Sequence, residues 1–218
     1  MLNEKTAAII VEPVQGEGGV YVCSKEFLTG LRKLCDERDI ALILDEVQCG
    51  MGRTGTIMTY FQYDILPDIL CLAKGIGAGF PMGAFVANKK FAAAMEPGDH
   101  GSTYGGNPMA GQACRTVFKI LEDTKMIDRV QDISEYLIEK LDDLQEEFPC
   151  IKERRGLGLM IGLEFDKPVK DIVKTCLDLG LIVVTAGPHV VRMLPPFITT
   201  EKDVDQAIAI LKEAIEKN

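Results

Sequence analysis

Four short apolar runs lie between Ala7 and Ala87, and two of them stop at residues of opposite charge. Ala41-Leu42-Ile43-Leu44 closes on Asp45, and Ile69-Leu70-Cys71-Leu72-Ala73 closes on Lys74. Runs of this length, bounded by turn signals, read as strands buried on both faces. Such strands need helices above and below them, so the pattern dictates a layered α/β fold with a parallel-type sheet. The glycine-rich Gly75-Ile76-Gly77-Ala78-Gly79 follows Lys74 and lets backbone approach a ligand closely. Open parallel sheets bind ligands beyond the carboxyl ends of their strands. Lys74 is therefore either the first solvated residue after a strand or a reactive amine. A desolvated lysine shifts its pKa readily and can act covalently, and Asp45 at the same sheet edge favours that second reading.

The remaining pattern fills in the layers. Ala7–Val11 is a further run, ending at Glu12-Pro13 and the loop Gln15-Gly16-Glu17-Gly18-Gly19. Ser24 to Asp39 reads as an amphipathic helix capped by Ser24, with Phe27, Leu28, Leu31, Leu34 and Cys35 on one face. Strand, helix, strand in that order is a βαβ unit. Gly83–Ala87 extends the sheet, and Asn107-Pro108 suits a helix start. Helical periodicity then covers 108–121 and 128–147, with strands expected near 159–165, 181–184 and 190–194. Helices are expected near 168–179 and 201–216. The first half alternates strand and helix, whereas the second is α+β. Two domains follow, 1–110 and a smaller carboxyl-terminal one over 111–218.

Composition narrows the chemistry by exclusion. A net charge of −9 over 218 residues argues against nucleic acid or an anionic membrane as the main partner. No apolar run is long enough to span a bilayer, and the amino terminus carries no signal-peptide pattern. The 7 cysteines are scattered, with no C-x-x-C, which fits a reduced cytoplasmic compartment. With only His100 and His189, a metal centre or a Ser/His triad is poorly supplied. The Gly75–Gly79 run lacks the third glycine of the dinucleotide fingerprint, and Lys74 precedes the glycines, unlike a P-loop lysine.

Five ordered motifs carry a resemblance: Glu-Pro-Val-Gln-Gly-Glu-Gly-Gly (12–19), Leu-Asp-Glu-Val-Gln-Cys-Gly-Met-Gly-Arg-Thr-Gly (44–55), Ala-Lys-Gly (73–75), His-Gly-Ser-Thr-Tyr-Gly-Gly-Asn-Pro (100–108) and Val-Arg-Met-Leu-Pro-Pro (191–196). Together the chain resembles a class III pyridoxal-phosphate aminotransferase of the aspartate aminotransferase fold type (fold type I). The resemblance implies pyridoxal 5'-phosphate as cofactor, with Lys74 as its Schiff-base lysine. It also implies Asp45 on the pyridinium nitrogen, Val47 on a ring face and Gln48 on the ring hydroxyl. Ser102 would bind the cofactor, and Thr103 would reach the cofactor phosphate of a neighbouring subunit, which implies a homodimer with shared sites. Arg192 would clamp the carboxylate of 2-oxoglutarate, and Glu17 would pair with Arg192, across the domain junction, while the amino donor is bound. The implied reaction moves the ω-amino group of N-acetylornithine to 2-oxoglutarate, in arginine biosynthesis. Ornithine, succinylornithine and 4-aminobutyrate stay open as donors.

Each residue also has a plainer reading. Asp45 could cap a loop, Glu12 and Glu17 could be ordinary loop acids, Arg192 an edge-strand charge and Thr103 a turn residue. The resemblance further implies that family members carry an amino-terminal half ahead of the region matched here. That half supplies the phosphate cup, the ring-stacking aromatic and the arginine for the donor's distal carboxylate. The chain is accordingly expected to be inactive alone. A non-catalytic remnant, or a module that binds a partner, stays open beside the aminotransferase.

Overall fold

The computed structural model describes residues 2–218 and divides into two compact units. The first comprises residues up to Pro13, Cys23–Gly52 and Thr56–Lys125. The second comprises Val14–Val22, Arg53–Gly55 and Met126–Asn218. Position 110 lies inside a helix that belongs whole to the first unit.

In the first unit, strands β1 (Ala8–Val11), β2 (Ala41–Asp45), β3 (Ile69–Leu72) and β4 (Ala84–Ala87) form one sheet in that order. The first three run parallel, and β4 is antiparallel to β3. Helix α1 (Lys25–Arg38) connects β1 to β2. Its start is set by Ser24, whose side chain accepts from the Phe27 N–H, and its end by Asp39 in a left-handed conformation. Of the face expected for α1, Leu28 and Cys35 are buried, whereas Phe27 is exposed. Arg32 of α1 donates from Nη1 to Asp68 Oδ2 at 2.9 Å, and the same oxygen accepts from the Leu42 N–H at 2.8 Å. One carboxylate thus ties the helix to the starts of two strands.

Burial on both faces holds for most of β2 but fails at the sheet's edges. Ile10 of β1 is 62% exposed, and Phe85 and Val86 of β4 are 49% and 59% exposed. The short helix α2 (Lys89–Ala92) follows β4. Helix α3 (Pro108–Asp123) starts with Asn107 as cap and Pro108 as first residue, as the sequence indicates. It packs against the turn Lys74–Gly77.

The second unit holds an antiparallel sheet in the order β5 (Ile151–Leu157), β6 (Met160–Phe165), β8 (Val190–Met193), β7 (Val184–Thr185). Helices α4 (Met126–Glu147), α5 (Lys170–Asp178) and α6 (Glu201–Glu216) supply the rest of its core. Val130, Ile133, Leu137, Leu141 and Leu144 project from α4 at helical spacing onto Ile161, Leu163 and Phe165 of β6. Thr200 and Asp203 form a reciprocal cap at the start of α6. The expected strand at 181–184 is reduced to β7, and Ile182 is 81% exposed. β5 was not expected at all: Lys152-Glu153-Arg154-Arg155 reads as a polar stretch.

Candidate functional site

In the first unit, Asp45 ends β2 directly opposite Cys71 of the parallel strand β3, three positions before Lys74. Burial and then the charge of Asp45 push the Cys71 thiol above its ordinary value. Asp45 and Lys74 therefore occupy the same carboxyl edge of adjacent strands. Asp45 Oδ1 accepts from the Val47 N–H at 2.9 Å, which folds the chain back at the strand end and presents the half-buried Val47 and Gln48.

Lys74 differs from expectation in one respect. Its side chain is exposed, not desolvated, and its amine has no hydrogen-bond or ion-pair partner among the described residues. Its backbone is unusual instead, with φ at +46°, a conformation a non-glycine residue holds only when its surroundings impose it. A Cβ on Gly75 would lie 3.1 Å from Cβ of Met51, so glycine at 75 is what admits the Met51 loop to the lysine turn.

Glu46 is a residue the sequence reading passed over. It is 1% exposed, and its two carboxylate oxygens accept from the Thr59 N–H at 2.6 Å and the Tyr60 N–H at 2.7 Å. Burial raises its pKa, opposed by those hydrogen bonds. The Glu46 carbonyl also accepts from Gly50, and Thr59 Oγ1 donates to the Cys49 carbonyl at 2.7 Å. The loop that follows Asp45 is thereby pinned at both ends. An acid directly after a strand-end acid was the available signal.

Ser102 and Thr103 are exposed in the loop that precedes α3, where Ser102 Oγ accepts from the Gly105 N–H at 3.0 Å. A cleft of about 510 Å³ opens beside Arg32, Tyr60, Asp68 and Asn88, at the amino-terminal end of β3.

In the second unit, Arg192 of β8 is 8% exposed in its side chain and donates from Nη1 to Glu17 Oε1 at 3.0 Å. The Glu17 side chain is 73% exposed. The expected pair is thus formed, but inside one unit, because Val14–Val22 groups with the second sheet. Arg53 belongs to this unit as well. Its Nη1 donates to the carbonyls of Leu159 at 3.1 Å and Pro195 at 2.6 Å, and its guanidinium lies 4.7 Å from the Phe197 ring centroid. Burial lowers its pKa to about 10, which leaves it charged near neutrality.

A family model described as aminotransferase class-III matches residues 1–215. An acetylornithine aminotransferase of Clostridium acetobutylicum is 47% identical over 215 residues, covering 98% of this chain and 56% of that protein. One from Methanocaldococcus jannaschii is 46% identical, covering 97% of this chain and 53% of that protein. The chain spans about half the length of these curated relatives. Among solved structures, an N-acetylornithine aminotransferase of Stenotrophomonas maltophilia superposes with a TM-score of 0.86 at 37% identity, over 97% of this chain and 56% of that one. An ornithine delta-aminotransferase of Plasmodium falciparum gives 0.91 at 33% identity, over 97% and 56%.

Proposed function

The chain belongs to the class III aminotransferase family, and from that premise we propose that it serves transfer of the ω-amino group of N-acetylornithine to 2-oxoglutarate. The observation that carries this reading is the ion pair of buried Arg192 with exposed Glu17. A buried guanidinium is costly without an anionic partner. A partner that is itself solvated can leave for water when a substrate carboxylate arrives. Arg192 then suits one dicarboxylate substrate, and the Glu17-paired state suits a donor whose reacting end carries no carboxylate. The preference for N-acetylornithine over ornithine rests on the relatives with the higher sequence identity.

The residues at the Lys74 edge fit pyridoxal phosphate as cofactor: an acid, a glycine-admitted turn and an unengaged amine share the ends of neighbouring strands. Asp45 would hold the ring nitrogen protonated, Val47 and Gln48 would contact the ring, and Ser102 and Thr103 would contact a phosphate. When bound, the cofactor supplies an electron sink that allows an amino group to be exchanged for a carbonyl oxygen. Lys74 Nζ would take the proton from the substrate carbon and deliver it to the cofactor carbon, acting as base and then as acid. The same reading includes a homodimer, in which Ser102 and Thr103 serve the neighbour's phosphate. It also includes a cytoplasmic location and a place in arginine biosynthesis. A second reading, a partner-binding module without turnover of its own, is favoured by the exposed apolar strand faces at Ile10, Phe85 and Val86.

The deciding experiment is steady-state kinetics of Arg192→Lys in the chain complemented with an amino-terminal half. Lysine replaces a planar fork by a point charge. KM for 2-oxoglutarate should rise about tenfold or more, the worth of roughly one charged hydrogen bond. An unchanged KM would remove Arg192 from the role of clamp.

A further inference from the structure

Arg155 of β5 pairs in register with Gly162 of β6, and Gly162 pairs in register with Arg192 of β8. Residues directly opposite in an antiparallel sheet point to the same face. The row therefore reads arginine, glycine, arginine across one face, with the outer two roughly 10 Å apart, at two strand spacings. The loop 15–21 lies on this row. A Cβ on Gly162 would sit 3.0 Å from Cβ of Val20, so Val20 occupies the notch that the glycine leaves. Val20 is fully buried and holds φ at +59°, which a β-branched residue adopts only under constraint.

The two arginines grip the loop on either side of that notch. Arg155 Nε donates to the Gly19 carbonyl at 2.7 Å, and its guanidinium stands 3.9 Å from the Tyr21 ring centroid. Arg192 takes the Glu17 carboxylate. Arg155 is 8% exposed and is itself oriented by Glu153 at 2.7 Å and by Glu164. The Gln15 N–H closes the loop on the Tyr21 carbonyl at 2.9 Å.

We propose that Arg155 is a positioning residue: it fixes the backbone of loop 16–21 so that Glu17 occupies Arg192 until a substrate carboxylate displaces it. The proposal deepens the function above and rests on Arg192 as the carboxylate clamp. With the backbone held at Gly19 and Val20, only the solvated Glu17 side chain needs to move. Release of the loop would let Glu17 drift, and Arg192 would then accept anions more readily.

The direction of that effect makes the test. Glutarate, an unreactive dicarboxylate, is titrated calorimetrically into the purified chain and into its Glu17→Gln, Arg155→Met and Arg155→Lys variants. Arg155→Met should tighten glutarate binding on the order of tenfold, as Glu17→Gln does, because a competing state is removed. Arg155→Lys should fall between. The double variant Glu17→Gln/Arg155→Met should bind no more tightly than Glu17→Gln alone. Loss of a cation near an anion site would by charge alone weaken binding. Weaker or unchanged binding in both Arg155 variants, or the same change with Glu17 already replaced, overturns the proposal. If glutarate binds wild type and Arg192→Ala alike, the clamp reading falls. Hydrogen exchange then decides the role of Arg155. Faster exchange over 16–21 in Arg155→Met, with β6 unchanged, supports it, and unaltered exchange over 16–21 overturns it.

Discussion

Glu46 holds a carboxylate in the interior beside the strand-end acid Asp45, and the Thr59 and Tyr60 N–H groups donate to it. Burial is the larger influence, so its folded pKa lies above the ordinary carboxylate value of 4.5. A carboxyl with a raised folded pKa binds more protons folded than unfolded over the interval between the two values. Stability attributable to Glu46 is then greatest at low pH and declines as pH rises through that interval. Glu46→Gln removes the titration but keeps one carbonyl acceptor. The variant should be less stable than wild type at pH 4, with the deficit narrowing as pH rises from 4.5 to 7. Urea denaturation across that range tests this, and a deficit that stays constant with pH would show that Glu46 does not titrate differently on folding. Cys176 offers a companion case: burial pushes its thiol up to about 11. It should resist alkylation in the native chain at pH 8 and react once the chain is unfolded, as mass spectrometry after quenching would show.

At the scale of elements, the β5–β6 hairpin organises the second unit. Leu157 pairs with Met160, which leaves Gly158-Leu159 as a two-residue turn. Gly158 takes φ at +56°, as tight hairpin turns require. A Cβ there would lie 2.5 Å from the Thr54 carbonyl carbon, and the Leu159 N–H donates to the Arg53 carbonyl at 2.9 Å. The left-handed backbone alone costs an alanine about 1–2 kcal/mol, and the clash with backbone adds to it. Gly158→Ala should lose about 2 kcal/mol or more of stability. A loss below about 0.5 kcal/mol by denaturant titration would mean that segment 53–55 yields freely. β5 escaped the sequence reading for a related reason. Glu153 and Arg155 share a face with period two, but Arg155 is paired with Glu153, with Glu164 on the neighbouring strand and with the Gly19 carbonyl 136 positions upstream.

On the scale of the whole molecule, the first unit presents apolar strand residues to solvent at both edges of its sheet and keeps Lys74 exposed. Cofactor affinity in such a site depends on desolvation and on several contacts acting together. The 218-residue chain alone should therefore hold pyridoxal phosphate only loosely. Dialysis should remove its absorbance, and Lys74→Ala should behave alike after dialysis. Stoichiometric retention that depends on Lys74 would contradict this. The local signals were legible from the sequence because they act over a few residues. They include the runs that make β1 to β4, the Ser24 and Asn107 caps, and the charges that end β2 and the β3 region. The pairing of Glu17 with Arg192 was anticipated from the resemblance. Its placement within one unit was not, since 192 − 17 = 175 positions separate them and contact order is invisible to pattern. Only tertiary structure could decide that Gly162 is a notch for Val20, that Glu46 caps a distant turn, and that Arg155 grips a loop 136 positions upstream. The physical reason is that a sequence carries its own backbone preferences, whereas the partner of a buried charge is chosen by whatever the fold brings to it.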